Sequence, residues 1–205
     1  MTFYILRHGD KEKGEFRKPD LPLNDQPLSE FGQGQARKLV GFFKDREIAH
    51  IYVSAYQRTS QTIAYVAEDH GLKPVMDERL NEINIGAFEN ITLKELEEKF
   101  PMELKAFRER SRDFQFPDGE SGEEGQKRIV EFLDEKRKLH GDENVIAACH
   151  DGLMRTLLCH VLGIPVYKRW GFSVETCGII ELEFEADYGT WKLIRYNQTC
   201  SDRLK

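Results

Sequence analysis

The most constraining stretch of this chain is Val145-Ile146-Ala147-Ala148-Cys149, an unbroken apolar run that stops at His150-Asp151-Gly152. It is too short for a buried helix and does not alternate, so it reads as a central strand covered on both faces. Covering both faces requires helices on each side, hence a layered α/β fold. The rest of the chain agrees. Thr2 to Leu6 reads as a buried strand ending at Arg7-His8-Gly9, Ala49 to Val53 as another ending at Ser54, and Pro74 to Met76 as a weaker one. Helical periodicity fills the intervals: Glu30 to Lys44 behind an N-capping Ser29, Gln57 to His70 closed by Gly71, Ser121 to Leu139, and Asp151 to Leu162. Strands alternating with helices predict a mostly parallel sheet. Two alternating strands, Gly178 to Phe184 and Thr190 to Tyr196, close the chain as a hairpin around Asp187-Tyr188-Gly189.

The rhythm breaks between residues 84 and 120, which are polar and rich in Glu, Lys and Arg, with short helices near Leu93 to Lys99 and after Pro101. This segment reads as a lid-like insertion over one end of the sheet. The 205 residues are otherwise read as one domain, 1–205. A net charge of −6 supplies no general basic face, so no nucleic-acid partner is expected and any phosphate site must be a local basic pocket. No apolar run is long enough to span a bilayer, and Arg7 and Asp10 cut short the first one, against a membrane span or a signal peptide. Cys149, Cys159, Cys177 and Cys200 form no C-x-x-C pair, which fits reduced thiols in the cytoplasm.

His8 and His150 both follow strand ends, where open α/β sheets place their ligands. A lone histidine is more often a packed residue than a reactive one; two at equivalent strand ends point to function. Arg7 ends the same strand as His8, and Arg58 opens the helix after Ser54. Two guanidinium forks and two imidazoles suit a phosphoryl group, because Arg stays charged and binds phosphate oxygens bidentately without a metal. A neutral imidazole can attack phosphorus to give a phosphohistidine, and a carboxyl at the cleft mouth can protonate the leaving oxygen. Glu82 has only a positional edge over Glu78, Glu89 and Glu120 for that role.

The motifs resemble those of the histidine phosphatase superfamily, also called phosphoglycerate mutase-like. Leu6-Arg7-His8-Gly9 is similar to its RHG signature, Pro27-Leu28-Ser29 with Gly32, Gln35 and Ala36 to its P-L-[ST]-x-x-G-x-x-Q-A segment, and Ser54 with Arg58, Thr59, Gln61 and Thr62 to its S-x-x-x-R segment. Leu80-Asn81-Glu82 with Gly86 and Glu89, then Gly119-Glu120-Ser121, then Cys149-His150-Asp151-Gly152 with Arg155, continue in the family order. The resemblance implies a three-layer α/β/α sandwich, a phosphohistidine at His8, a phosphoryl group held by Arg7, Arg58 and His150, and Glu82 as proton donor, with no metal and no cofactor. The substrate would be a phosphorylated small molecule; the oligomeric state is not implied.

The first loop departs from the family. Asp10 and Gly14 stand where many members have Glu or Gln and then a phosphate-contacting Asn, and Asn24 is the candidate substitute. The mutases' Trp-Asn and Thr-Gly-Trp elements are missing from it, which favours hydrolysis over a phosphoglycerate mutase-type transfer. Two further readings stay open: a metallohydrolase using His8, Asp10, His150 and Asp151 as ligands, and a non-catalytic phosphate-binding regulatory module.

Overall fold

The structure, a computed structural model, describes residues 1–200. Its six strands are β1 (Thr2–Arg7), β2 (His50–Val53), β3 (Val75–Met76), β4 (Val145–Cys149), β5 (Ile179–Glu185) and β6 (Thr190–Gln198). They form one sheet in the order β3-β2-β4-β1-β5-β6. β1, β2, β3 and β4 pair in parallel, whereas β5 runs antiparallel to β1 and to β6. The terminal hairpin foreseen from sequence is therefore an edge extension of the main sheet.

β4 is buried at every position, as its unbroken apolar run requires. Helices α1 (Glu30–Phe43) and α2 (Gln57–Asp69) cover one face, where Leu39, Phe43, Ile63 and Val66 pack on Leu6, Ile51 and Ile146. Helices α5 (Gly122–His140) and α6 (Asp151–Val161) cover the other, where Ile129, Phe132, Leu153 and Leu157 meet Phe3, Ile5 and Ala147. This is the three-layer α/β/α sandwich. The helix starts follow local chemistry: the Ser29 side chain accepts from Gly32 N, and Ser121 with Glu124 forms a reciprocal capping box.

The insertion contains α3 (Leu93–Lys99) and α4 (Pro101–Glu109). Its own core is aromatic: Phe88 lies 5.6–6.2 Å, ring centre to ring centre, from Phe100, Phe107, Phe114 and Phe116. Phe107 also meets Trp170 at 5.3 Å, which joins the insertion to the short 3-10 turn Val166–Gly171 after α6.

Candidate active site

β1 and β4 are adjacent and in parallel register, with Arg7 opposite Cys149. The residues that follow, His8 and His150, therefore emerge side by side, and the His8 N–H donates to the Cys149 carbonyl at 3.1 Å. Their ring centres lie 5.2 Å apart. β2 is the next strand over, so Ser54 and Arg58 arrive at the same edge from the other side of β4. A cavity of about 350 Å³ opens there, and Arg7, His8, Lys11, Asn24, Arg58, Glu82 and Glu89 line its polar part.

His8 is oriented by its own backbone. Its Nδ1 lies 2.7 Å from the Gly9 carbonyl, which accepts only if Nδ1 carries the hydrogen. The Nε2 lone pair is then free. Burial, with Arg58, Arg7 and Lys11 nearby, pushes its pKa down to about 3. The ring is neutral at pH 7, the state a nucleophile needs.

His150 has a different setting. It is fully buried and is absent from the cavity lining. Its Nδ1 lies 3.2 Å from Arg58 Nη2 and its Nε2 lies 2.8 Å from Ser54 Oγ. Arg58 can only donate, so Nδ1 accepts and Nε2–H points to Ser54. Burial, Arg58 and His8 hold its pKa well below the ordinary histidine value. His150 thus backs Arg58 and His8. Tyr56 completes the support: its ring sits 5.2 Å from His150 and under the Arg58 guanidinium at 4.4 Å.

Arg58 is buried and Arg7 half-buried, and both cations have spare donors. Arg7 Nη1 donates to the Val174 carbonyl, and Arg58 Nη1 donates to the Asn24 carbonyl at 3.1 Å. The Nε atoms of both are buried without a protein partner. An unpaired buried N–H costs about 1–3 kcal/mol, so an anion that accepts from it is bound favourably.

Glu82 lies where its carboxylate meets the start of α6. Oε1 accepts from Ile83 N at 2.9 Å and Leu153 N at 3.1 Å, and Oε2 accepts from Gly152 N at 3.2 Å. A Cβ at residue 152 would stand 2.7 Å from Oε1, so the glycine is what lets the carboxylate approach. Two of the rival glutamates have other partners. Glu120 takes a bidentate pair from Arg128 and the Asn84 N–H. Glu89 lines the cavity but accepts from both the backbone and the side chain of Asn24.

Asn24 lines the cavity, yet its side chain is engaged with Glu89, Asn90 and the Phe16 N–H. Its carbonyl, which accepts from Arg58, is what reaches the cradle. Asp10 turns away from the cleft: its Oδ2 accepts from Ser29 Oγ at 2.5 Å. Asp151 pairs with Arg155 along α6. The carboxylates of the metallohydrolase reading are thus directed to other partners. Among the described residues, the His/Cys/Asp/Glu set within common ligand reach is His50, His140 and Glu143, which are absent from this cavity.

Several residues in and around the site escaped the sequence reading. Arg128 donates to the Arg79 and Glu82 carbonyls at 2.7 and 3.1 Å and so fixes the backbone that carries Glu82. Arg169 and Trp170 come from the turn after α6, which carries no motif. Of the insertion's aromatic residues, Phe116 lines the cavity, while Phe88 and Phe114 belong to the insertion's core.

A family model for the histidine phosphatase superfamily (branch 1) matches residues 3–199. The chain belongs to the histidine phosphatase superfamily. It is similar to phosphoserine phosphatase 1 of Hydrogenobacter thermophilus, 28% identical over 196 residues, covering 96% of this chain and 92% of the relative. It is also similar to a probable phosphoglycerate mutase of Enterobacter sp. (strain 638), 26% identical, covering 90% of this chain and 86% of the relative. The Bacillus stearothermophilus YhfR structure superposes with a TM-score of 0.83 at 23% identity, covering 97% of each chain. This histidine phosphatase therefore shares its fold over nearly the whole chain. No helix of the described residues is long and apolar enough to cross a membrane.

Proposed function

We propose that this histidine phosphatase hydrolyses small phosphomonoesters through a covalent phosphohistidine on His8, with Glu82 as proton donor. The observation that carries the reading is a neutral, buried imidazole whose Nδ1 is fixed on Gly9 and whose Nε2 is free, set between two guanidinium groups with unpaired buried donors. Nε2 attacks phosphorus as the ester P–O bond breaks, and its electron pair leaves on the alcohol oxygen, which takes the Glu82 proton. Water then attacks the phosphohistidine, giving a proton to the Glu82 carboxylate, and the P–N bond breaks to return His8. Arg7 and Arg58 neutralise the equatorial oxygens throughout.

The leaving group would face Leu23, Ile83, Ile85, Phe116 and Trp170. Two further arginines border this part but are already paired, Arg155 with Asp151 and Arg169 with Asp113. The relative named a phosphoserine phosphatase supports hydrolysis. So does a first loop without the mutase elements.

The test is phosphate release from a panel of phosphomonoesters with excess EDTA. Release inhibited by vanadate, which mimics pentacoordinate phosphorus, is the expected result. Silence in EDTA, with release restored by added metal, would overturn the mechanism.

A further inference from the structure

At the end of the sheet opposite His8, three metal-ligating side chains come together that the phosphatase chemistry does not use. His50 opens β2, His140 closes α5, and Glu143 lies in the turn that leads into β4. The parallel register of β2 and β4 sets His50 beside Val145 and so beside this turn. We propose that His50, His140 and Glu143 form a binding site for a divalent transition metal, Zn²⁺ above all.

The geometry is that of a nearly assembled donor set. His50 Nε2 lies 2.8 Å from Glu143 Oε2, and the two imidazole rings stack at 3.6 Å with planes 23° apart. One ligand atom from each residue lies within 4.8 Å of the others. Ligands of a tetrahedral zinc, at bond lengths near 2.0–2.1 Å, stand about 3.3 Å apart. His50 and Glu143 already stand closer than this, so binding requires the exposed Glu143 side chain to move outward and the stacked imidazoles to turn their ring edges toward the ion. Two imidazole nitrogens and one carboxylate oxygen suit Zn²⁺, with water in the fourth position.

An outer shell is in place as well. His140 Nε2 lies 2.7 Å from the Tyr52 hydroxyl. When Nε2–H donates to that oxygen, Nδ1 carries the lone pair, the arrangement by which ligating histidines are usually oriented. Lys136 also faces this corner, 4.7 Å from the Tyr52 ring centre, but its charge is offset by Asp77 and Glu135.

The backbone around the three ligands is held by Asn144. Its carbonyl accepts from Ala49 N at 3.0 Å, its Oδ1 accepts from Thr2 N at 3.0 Å, and its Nδ2 donates to the Glu47 carbonyl at 3.0 Å. One residue thus fixes the turn bearing Glu143 against the entry to β2 bearing His50. A bound ion would add a further clamp between α5, β2 and this turn.

The experiment is calorimetric titration of the EDTA-treated, desalted full chain with ZnCl₂, alongside a chromogenic chelator competition. The wild type is expected to bind one equivalent and to melt at higher temperature with Zn²⁺. His50→Gln and His140→Gln should lose that equivalent, and Glu143→Gln should bind at least tenfold more weakly. Phosphate release by His50→Gln in EDTA should match the wild type, which also shows that the variant is folded; Glu143→Gln, at an exposed position, serves if it is not. No binding by the wild type would overturn the proposal. So would equal binding by the wild type and the variants, which would place the ion elsewhere.

Discussion

His8 and His150 stand with ring centres 5.2 Å apart and planes inclined by 59°, yet only His8 borders the cavity. Both rings are held neutral, chiefly by burial and next by the charge of Arg58. Their hydrogen bonds separate their tasks. His8 is anchored through Nδ1 to a carbonyl and exposes Nε2, whereas both nitrogens of His150 are already engaged, by Arg58 and Ser54.

Replacing the proposed nucleophile should therefore end turnover. His8→Ala is expected to lose at least about 10⁴-fold in kcat, because no other group can form the phosphoenzyme. Wild type incubated with labelled substrate and quenched in alkaline detergent should carry an acid-labile, base-stable phosphoryl group that the variant lacks. Residual activity within a hundredfold of wild type would sink the assignment.

Glu82 is tested by leaving-group dependence. Glu82→Gln should slow alkyl phosphates by about 10²–10⁴-fold, the usual worth of a general acid, and slow p-nitrophenyl phosphate far less. A plot of log kcat/KM against leaving-group pKa should steepen in the variant. An unchanged slope would remove Glu82 from proton transfer.

Gly152 offers an independent probe of the same carboxylate. An alanine there would place its Cβ 2.7 Å from Glu82 Oε1. Gly152→Ala should shift Glu82 and lower kcat for poor leaving groups about tenfold or more. Stability should change little, since alanine is favoured over glycine in a helix by about 1 kcal/mol. Thermal melting and alkyl phosphate kinetics, measured together, separate the two effects.

The neutral histidines also predict an acid-sensitive fold. Between pH 6.5 and about 3, the unfolded chain binds a proton at His8 that the folded chain does not. Stability therefore rises with pH through this window and is lost on acidification below 6.5, by up to about 1.4 kcal/mol per pH unit for each such histidine. His8→Gln should flatten the decline in denaturant midpoint between pH 7 and pH 5. Equal slopes for variant and wild type would show that His8 is protonated at its ordinary pH in the folded protein.

The sequence by itself determined those parts of the site that depend on short-range order. An apolar run ending in His150, another ending in Arg7-His8, and a helix opening with Arg58 after β2 lie at the same sheet end once the strands are parallel, because each side chain is fixed by its own strand. Helix starts at Ser29 and Ser121 were legible for the same reason, as caps act within a few residues. Tertiary structure decided what depends on contacts between distant segments. Position along the chain barely separates Glu82 from Glu89 and Glu120; the N–H groups of Gly152 and Leu153 and the Arg128 brace do. Asn24 is rich in partners but offers its carbonyl to the cradle, which depends on where Glu89 and Arg58 arrive. Arg169 and Trp170 line the cavity only because the turn after α6 packs on the aromatic core of the insertion. A motif records which groups a local backbone can present; the partner that occupies each group is set by packing across the whole chain.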